Sequence, residues 1–566
     1  MDVLARIALT VFFGFLHTFA AAAQSVPSPD GGRISPFGIG ADDHTSRDLE
    51  KWIPQMAKIG IRNMRACRTL WSDVEPKEGT WDWAQIDGQL TYLASQHIEC
   101  WGLLYGGVDW NTKDRPGGFP SNNLVAWKTY VFETVKHSHG RIRYWEVWNE
   151  PPNGSNDAPP ADYGKLMAAT YEAAKAADPD CRVGMAAQSV NLNYLEQAIK
   201  AGAKDHFDYI TLHPYETMGS VEDHWGTESV FMHIVPTVRK MLAAQDPERK
   251  DAPVWLTEIG YDAGKSPERQ AESLVKAYAM GIAQGMQAIN WFEGLDGDSG
   301  PMGLLAEKDK ARPAYIALAE MIKQMGTSPE YLGWVMPRGR DYGFVFRGEG
   351  KTVLVIWAPG GAKDEIIFGK DVQVTDPLTG KTNTSRLAEL TSSPLLVNDP
   401  PANLLAKAQQ NILSPFPWDG DFSRAKSVYV RMGSRTVEKG LHAQQGDAIR
   451  ADVIAYGGGA RAGNVAGGPV FIVDPNFLSY TGTPIEITAV VRRDPQNHPA
   501  NLALEYESAS GYRKLPAFVI PGNAKWYTVR WTIADAQFVS KWVFNFRFDV
   551  GDYYIKSVSV TKVSHP

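Results

Sequence analysis

The sequence predicts an α/β protein whose main body is a closed (β/α)8 TIM barrel, followed by two smaller all-β domains of sandwich or jelly-roll type. Three observations carry that prediction. Eight short β-type runs alternate with helical stretches over residues 24–326. The helical stretches nearly vanish after residue 327. No GxGxxG or phosphate-loop pattern follows an early strand, as an open, doubly wound sheet would require. Eight strand–helix units in roughly 300 residues is the usual size of such a barrel.

In order, the β-type runs are PFGIGAD, GIRNMRAC, IECWGLLY, IRYWEVWNE, CRVGMAAQ, DYITLHPY, PVWLTEIGY and AINWFEGLD. Between them, stretches such as RDLEKWIPQMAKIG, NLVAWKTYVFETVKHSHG, DYGKLMAATYEAAKAADPD and ERQAESLVKAYAMGIAQG repeat apolar residues every three or four positions. That spacing marks helices, and Gly or Asp-Pro ends several of them. Residues 327–400 read as a small β domain packed on the barrel, opening with two strands around a Gly-Glu-Gly turn. Residues 401–426 read as a connector, and 427–566 as a β-sandwich with alternating apolar and polar positions. The Gly/Ala-rich piece YGGGARAGNVAGG reads as a loop within it.

At the N-terminus, Arg6, a short apolar core and the small residues around Ala23 read as a secretory signal over residues 1–23. The apolar run is too short for a membrane span, so the expected location is secreted or periplasmic. The net charge of -7 argues against nucleic acid or an anionic membrane surface as the main partner. Cys67, Cys100 and Cys181 have no CxxC spacing, which excludes a cysteine-based zinc site and a dense disulfide scaffold; buried free thiols are expected, with one bridge and a third free thiol as the alternative.

The chemistry begins with RIRYWEVWNEPPNG, residues 141–154, where a buried-looking strand ends in Asn149 and Glu150. Barrel active sites lie at the C-terminal ends of the strands, so a carboxylate ending a strand is placed for chemistry. Glu258 ends the seventh β-run as Glu150 ends the fourth, so the two can face each other across the barrel mouth. Two facing carboxyl groups are what glycosidic bond cleavage needs. One donates a proton to the leaving oxygen, and the other attacks the anomeric carbon or activates water.

WEVWNEP (145–151), LHPY (212–215), WLTEIGY (255–261) and MRACRTLWSDVEPKEGTWDWAQID (64–87) together resemble clan A of the glycoside hydrolases. The family 39-like and family 5-like branches, which include secreted exopolysaccharide and biofilm-matrix glycosidases, are the nearest in pattern. The resemblance covers roughly residues 35–326. It implies a retaining enzyme with Glu150 as acid/base and Glu258 as nucleophile, with no metal and no cofactor. It also implies that Asn149 binds the sugar 2-hydroxyl, that Tyr215 orients the nucleophile with His213 beside it, and that Trp291 floors the subsite of the cleaved sugar. Arg65 matches the second-strand arginine that keeps the nucleophile anionic. On this reading Glu150 needs a raised pKa, from burial and from the like charge of Glu258.

Each site residue has a plainer alternative. The two glutamates could be rim salt-bridge partners, His213 a core histidine, and Trp291 simple packing. Glu146 reads as a buried structural carboxylate, and Arg68 competes with Arg65 for its role. Glu293 and Asp296 read as a polar loop. Trp71, Trp110 and Tyr105 are candidate sugar platforms, because pyranose C–H groups pack on aromatic faces. In the terminal module Trp526, Trp531, Trp542, Tyr553 and Tyr554 could stack on sugars or fill its core. A tethered binding module of this kind would fit a polymeric, polysaccharide substrate. Two further functions share these features: a transglycosylase on the same machinery, and a catalytically silent carbohydrate-binding scaffold. The sugar, the linkage and the oligomeric state leave no mark in the sequence.

Overall fold

The computed structural model describes residues 34–563, apart from 115–117, 122, 153–157, 219–227, 308–309, 360–362, 418–419, 433–435, 445–451, 456–457, 481, 494–499, 524, 540 and 542–543. Residues 1–23, read above as a secretory signal, Trp542 and the start of the Gly/Ala-rich stretch lie outside the described residues.

Each of the eight predicted runs forms a barrel strand. They are β1 (Phe37–Gly40), β2 (Asn63–Cys67), β3 (Glu99–Leu104), β4 (Ile142–Val147), β5 (Arg182–Gln188), β6 (Tyr209–His213), β7 (Val254–Ile259) and β8 (Ile289–Trp291). All neighbours are parallel, and β1 closes the ring by pairing Gly38 with Asn63 of β2 and with Asn290 of β8. The helices between them begin as the sequence suggests. Asn123 accepts from the amide of Ala126 at the start of Leu124–His137, and Ser266 accepts from Arg269 ahead of Pro267–Ala283. These caps satisfy amides that the first helical turn leaves without partners.

Alternation along the strands builds the barrel interior in layers. Its lower part is an aromatic plug of Trp101, Tyr144, Tyr209 and Trp255, with the Trp255 ring 4.1 Å from Tyr209 and 4.9 Å from Trp101. Two residues further along the same strands the interior turns polar, with Glu146 on β4 and Thr257 on β7; His213 follows two more along β6. A dry aromatic floor therefore supports a polar layer at the C-terminal mouth. Gly184 of β5 makes room for the plug, since a Cβ there would sit 2.3 Å from the Tyr209 ring.

Cys67 and Cys100, on the neighbouring strands β2 and β3, have Cα atoms 6.3 Å apart and form a disulfide, while Cys181 is a buried free thiol. This corrects the expectation of free thiols throughout: barrel closure brings together two residues 33 positions apart in sequence.

The second domain is a six-stranded antiparallel sheet spanning Glu330 to Asn398. Its alternation is divided between two cores. Tyr342, Phe344, Phe346, Val353, Val355 and Trp357 join the barrel core, while Val345, Leu354 and Ile356 form a separate core on the opposite face. The first half of the expected connector is a helix, Ala402–Asn411, whose Ala408 lies in that opposite core. It belongs to the domain because Gly333 has no side chain and lets the helix backbone approach closely.

The third domain, from Ser427 to Lys562, packs a seven-stranded sheet on a five-stranded one around an apolar core. Trp531 and Tyr553 lie in that core, which removes them as sugar platforms; Trp526 and Tyr554 are half-buried. The domain is docked rather than tethered. Tyr480 donates to Glu196 at 2.6 Å, Lys240 to Ser479 at 2.5 Å, and Asn193 to the Ser508 carbonyl at 3.0 Å. Among the described residues no helix is long and apolar enough to cross a membrane.

Gly184→Ala is expected to destabilise the barrel by about 1–3 kcal/mol, the usual cost of overpacking a filled core. Calorimetry would show this as a lower midpoint for the transition that carries the barrel.

Candidate active site

Strand ends place every side chain of the site. β4 carries Glu146 in its last turn of pleat and then kinks. Trp148 and Glu150 both take positive φ, 66° and 49°, a conformation that costs non-glycine residues energy and is held here by the packing around it. Trp148 is wholly buried, edge-on to Tyr105 at 4.7 Å and to Phe119 at 4.9 Å. The kink places the Glu150 carboxyl in the cleft, where Glu258 from the end of β7 faces it. His213 ends β6, and Tyr215 follows it.

Arg65 ties these strands together. Its guanidinium, 3% exposed, meets Glu146 in a two-pronged contact, Nε to Oε2 at 3.0 Å and Nη2 to Oε1 at 3.1 Å. The same Nη2 donates to Asn149 Oδ1 at 2.8 Å, and Nη1 donates to Glu258 Oε1. Tyr215 Oη donates to the other Glu258 oxygen at 3.0 Å. Glu258 thus accepts from both sides, one oxygen from Arg65 and the other from Tyr215. Asn149 is fixed with its NH2 edge turned away from the guanidinium, as a donor for a ligand.

His213 joins the two glutamates. Nδ1 lies 3.0 Å from Glu150 Oε1 and 3.5 Å from Glu258 Oε2, while Nε2 lies 2.9 Å from Thr257 Oγ1 and 3.6 Å from Glu146. Burial opposes a charge on this ring, but the charge of Glu258, the nearby Glu146 and the hydrogen bond to Glu150 outweigh it. The imidazole is raised to about 9. Glu146 likewise resists burial through Arg65 and then His213, and falls to about 2. Tyr215 is pushed well above the ordinary phenol range by burial and by Glu258, so it remains a donor.

Glu150 departs from the expectation. Burial does push it up, but the hydrogen bond and charge of His213, then Arg65, hold it below the usual carboxylate range. The raised value expected from Glu258 is corrected because a histidinium lies between the two glutamates. The raised His213 imidazole thus faces the lowered Glu150 carboxyl across 3.0 Å.

The cleft, about 480 Å³, is lined by Glu150, His213, Tyr215, Glu258, Gln188 and Phe292, together with Ser189, Glu216, Ser299 and Met302. Its size suits a small-molecule or sugar-unit site. Trp291 is not on it. Asn290 faces the barrel interior, donating to Asn63 Oδ1 at 3.1 Å, so alternation turns Trp291 outward, fully buried, and presents Phe292 to the cleft. Trp71 is also wholly buried, against Tyr130 at 5.3 Å, whereas Tyr105 and Trp110 are half-buried. Arg68 pairs with Asp43 and Asp73, away from the glutamates. Glu293 is buried rather than in a polar loop; burial and Asp42 push it to about 8, and Asp296 pairs with Arg312 at 2.6 Å.

Gln188 and Glu216 were missed by the sequence reading, although the rule that found Glu150 applies to Gln188, a polar residue closing an apolar strand. Glu150, His213 and Glu258 also place one oxygen or nitrogen each within 4.8 Å of the others, a spacing that a small cation could occupy. Arg65 and protonated His213 already balance most of that negative charge.

No protein-family model matches the chain, and no curated protein matches it in sequence. Solved structures do match. A family 39 glycoside hydrolase from the gut symbiont Bacteroides cellulosilyticus superposes with a TM-score of 0.56 at 19% identity, over 64% of this chain and 81% of that one. The fold is shared with that glycoside hydrolase. A GH30 endoxylanase from Clostridium papyrosolvens gives 0.46 at 14% identity, over 65% of this chain and 96% of that one. A family 30 subfamily 8 xylanase from Clostridium acetobutylicum gives 0.45 at 14% identity, over the same 65% and 96%.

Histidine NMR should find His213 charged at neutral pH and titrating near 9. In Glu258→Gln its pKa should fall by more than about one unit, because the charge that most raises it is gone. An unchanged titration would disprove the coupling. Since an unfolded histidine titrates near 6.5, the stability from this pairing is full below about that pH. It is lost as pH rises through 9.

Proposed function

We propose that the protein is a retaining glycoside hydrolase that cleaves β-glycosidic bonds of an extracellular or matrix polysaccharide. The observation that carries this reading is the pair of carboxyl groups, Glu150 and Glu258, at the barrel mouth with oxygens within 4.8 Å. Retaining enzymes hold their two carboxyls about 5–5.5 Å apart, whereas inverting enzymes need about 6.5–9.5 Å to admit a water between them.

The side chains divide the work. Glu258, kept ionised by Arg65 and Tyr215, attacks the anomeric carbon and forms a covalent glycosyl ester. Glu150 passes a proton to the departing glycosidic oxygen as that bond breaks. His213 re-supplies that proton through its 3.0 Å contact, so a Glu150 that is ionised at rest still acts as the acid. Water then enters, Glu150 takes its proton, and the hydroxyl displaces Glu258 from the same face by which the leaving group left. Two inversions restore the original configuration. Asn149 offers its amide donor to the sugar, and Phe292 offers an aromatic face in the place first given to Trp291.

A polymeric substrate outside the cell is supported by the open cleft and by the secretory pattern of residues 1–23. The decisive experiment is product analysis on a panel of β-linked polysaccharides and biofilm extracts, with wild type beside Glu150→Gln and Glu258→Gln. Wild type should release sugars whose new reducing ends are first β by NMR. Each variant should lose at least about 10²–10⁴ in rate, the worth of a positioned acid or nucleophile. First-formed α product, or activity that survives both substitutions, would reject the mechanism.

A further inference from the structure

The β-sandwich docks through one sheet and turns the outer face of the other away from the barrel. In the five-stranded sheet Phe471 and Val473 fill the sandwich core, so Ile472 between them points outward, where it packs on Val230 of the barrel domain. The seven-stranded sheet lies on the opposite side of that core.

The outer face of that sheet is set by alternation on four strands, Ser427–Arg431, Tyr553–Lys562, Ile485–Arg493 and Tyr527–Ile533. Val430, Val558, Ala489 and Val529, one from each strand, pair across the sheet and point into the core, so the residues on either side of them point out. Register then lines these up in rows. Tyr429 lies opposite Ser559, Ser559 opposite Thr488, and Thr488 opposite Arg530. In the next row Arg431 lies opposite Ser557, Ser557 opposite Val490, and Val490 opposite Thr528. The two central strands thus carry short side chains between longer ones. The result is a shallow trough, three strand spacings or roughly 14 Å across, with Tyr429 and Arg431 on one flank and Arg530 on the other.

The ends of the trough differ. At one, Glu486 accepts from Arg530 at 3.3 Å, so this carboxylate is balanced. At the other, the register shifts after Val490 and a β-bulge adds Lys556 to the face. Its ammonium lies 5.6 Å from the centre of the Trp526 ring, and the guanidinium of buried Arg492 lies 6.0 Å from the same ring. Arg431 lies likewise 4.5 Å from the Tyr429 ring. Lys556 and Arg431 are exposed, and among the described residues neither is paired with a carboxylate. An aromatic ring positions a cation without neutralising it. In a chain of net charge -7, this face is a local excess of the opposite sign.

We propose that the trough binds an acidic polysaccharide, with uronate carboxylates on Arg431 and Lys556 and sugar hydroxyls over the Ser557, Ser559 and Thr488 floor. Guanidinium and ammonium groups make charge-assisted bonds to carboxylates, and serine and threonine hydroxyls both donate to and accept from sugar hydroxyls. Facing away from the barrel, the trough anchors the enzyme to its matrix and does not extend the cleft. The choice of a glycan over another polyanion rests on the reading of the cleft as a glycoside-hydrolysing site; the anion-binding trough does not.

The test measures binding of the full chain at low ionic strength to alginate, polygalacturonate, dextran and double-stranded DNA. Wild type should bind at least one of the two polyuronates but not the neutral dextran, and binding should weaken as salt is raised. Arg431→Ala combined with Lys556→Ala should weaken it about five- to thirtyfold, the worth of two well-placed exposed ion pairs. Arg513→Ala combined with Lys514→Ala removes two cations from the five-stranded sheet and should leave binding unchanged. If neither polyuronate binds, or if the two double variants bind alike, the trough is overturned. DNA bound as tightly as the polyuronates would overturn the choice of a glycan. On a short oligosaccharide that wild type cleaves, both double variants should match it; a loss confined to the Arg431 and Lys556 pair would overturn the anchoring role. A chain that cleaves no glycoside would reject the hydrolase reading, and the binding arms would still decide the trough.

Discussion

The buried Arg65 guanidinium is the constraint on which the site depends. It is withdrawn from water inside the barrel and meets Glu146, Asn149 and Glu258 at once. A cation in that position is tolerable only where carboxylates surround it, and those carboxylates are tolerable only because of the cation. Strands β2, β4 and β7, far apart in the chain, are thereby bound to one geometry at the mouth. Arginine suits this better than lysine, because its planar fork reaches three partners in fixed directions. The nucleophile candidate is bonded by the same group that locks the strand carrying the acid candidate.

Beneath this lies the division of the barrel interior. The aromatic plug of Trp101, Tyr144, Tyr209 and Trp255 excludes water from below, so the polar layer above it meets solvent only from the cleft. Electrostatic effects in such a place are larger than at the surface. That explains how one histidine can hold a proton to about 9 while a neighbouring carboxyl falls to about 2. It also explains why the proton store of the site is His213: the ring collects charge from Glu146, Glu150 and Glu258 together.

The two β domains relate to the barrel in different ways. The six-stranded sheet gives the face that carries Tyr342, Phe344, Val353, Val355 and Trp357 to the barrel core, an apolar attachment that acts as an extension of the fold. The sandwich is attached through polar contacts on the segments after β5 and β6, beside apolar ones such as Val230 with Ile472. Those segments carry cleft residues, so the third domain meets the part of the barrel where its placement matters to the site.

Much was legible in the sequence because it depended on local pattern. Short β-type runs marked all eight strands, apolar residues at three- and four-residue spacing marked helices between them, and the break near residue 327 marked the β domains. Glu150 and Glu258 were legible because barrel strands deliver their last residues to one rim, whereas His213, Tyr215, Asn149 and Arg65 were singled out by the resemblance to clan A glycoside hydrolases. What only the tertiary structure decided were matters of direction and encounter. Alternation on β8 turned Trp291 outward and Phe292 inward, which a one-residue step settles and the string INWFEG does not. The pairing of Cys67 with Cys100 required β2 and β3 to be neighbours. The lowered Glu150 required a histidinium at 3.0 Å, which no spacing between residues 150 and 213 expresses. The Ser189–Lys541 contact spans 352 residues. Sequence determines what each segment prefers, but charge and proton placement follow from distances between segments, and those exist only once the chain has closed.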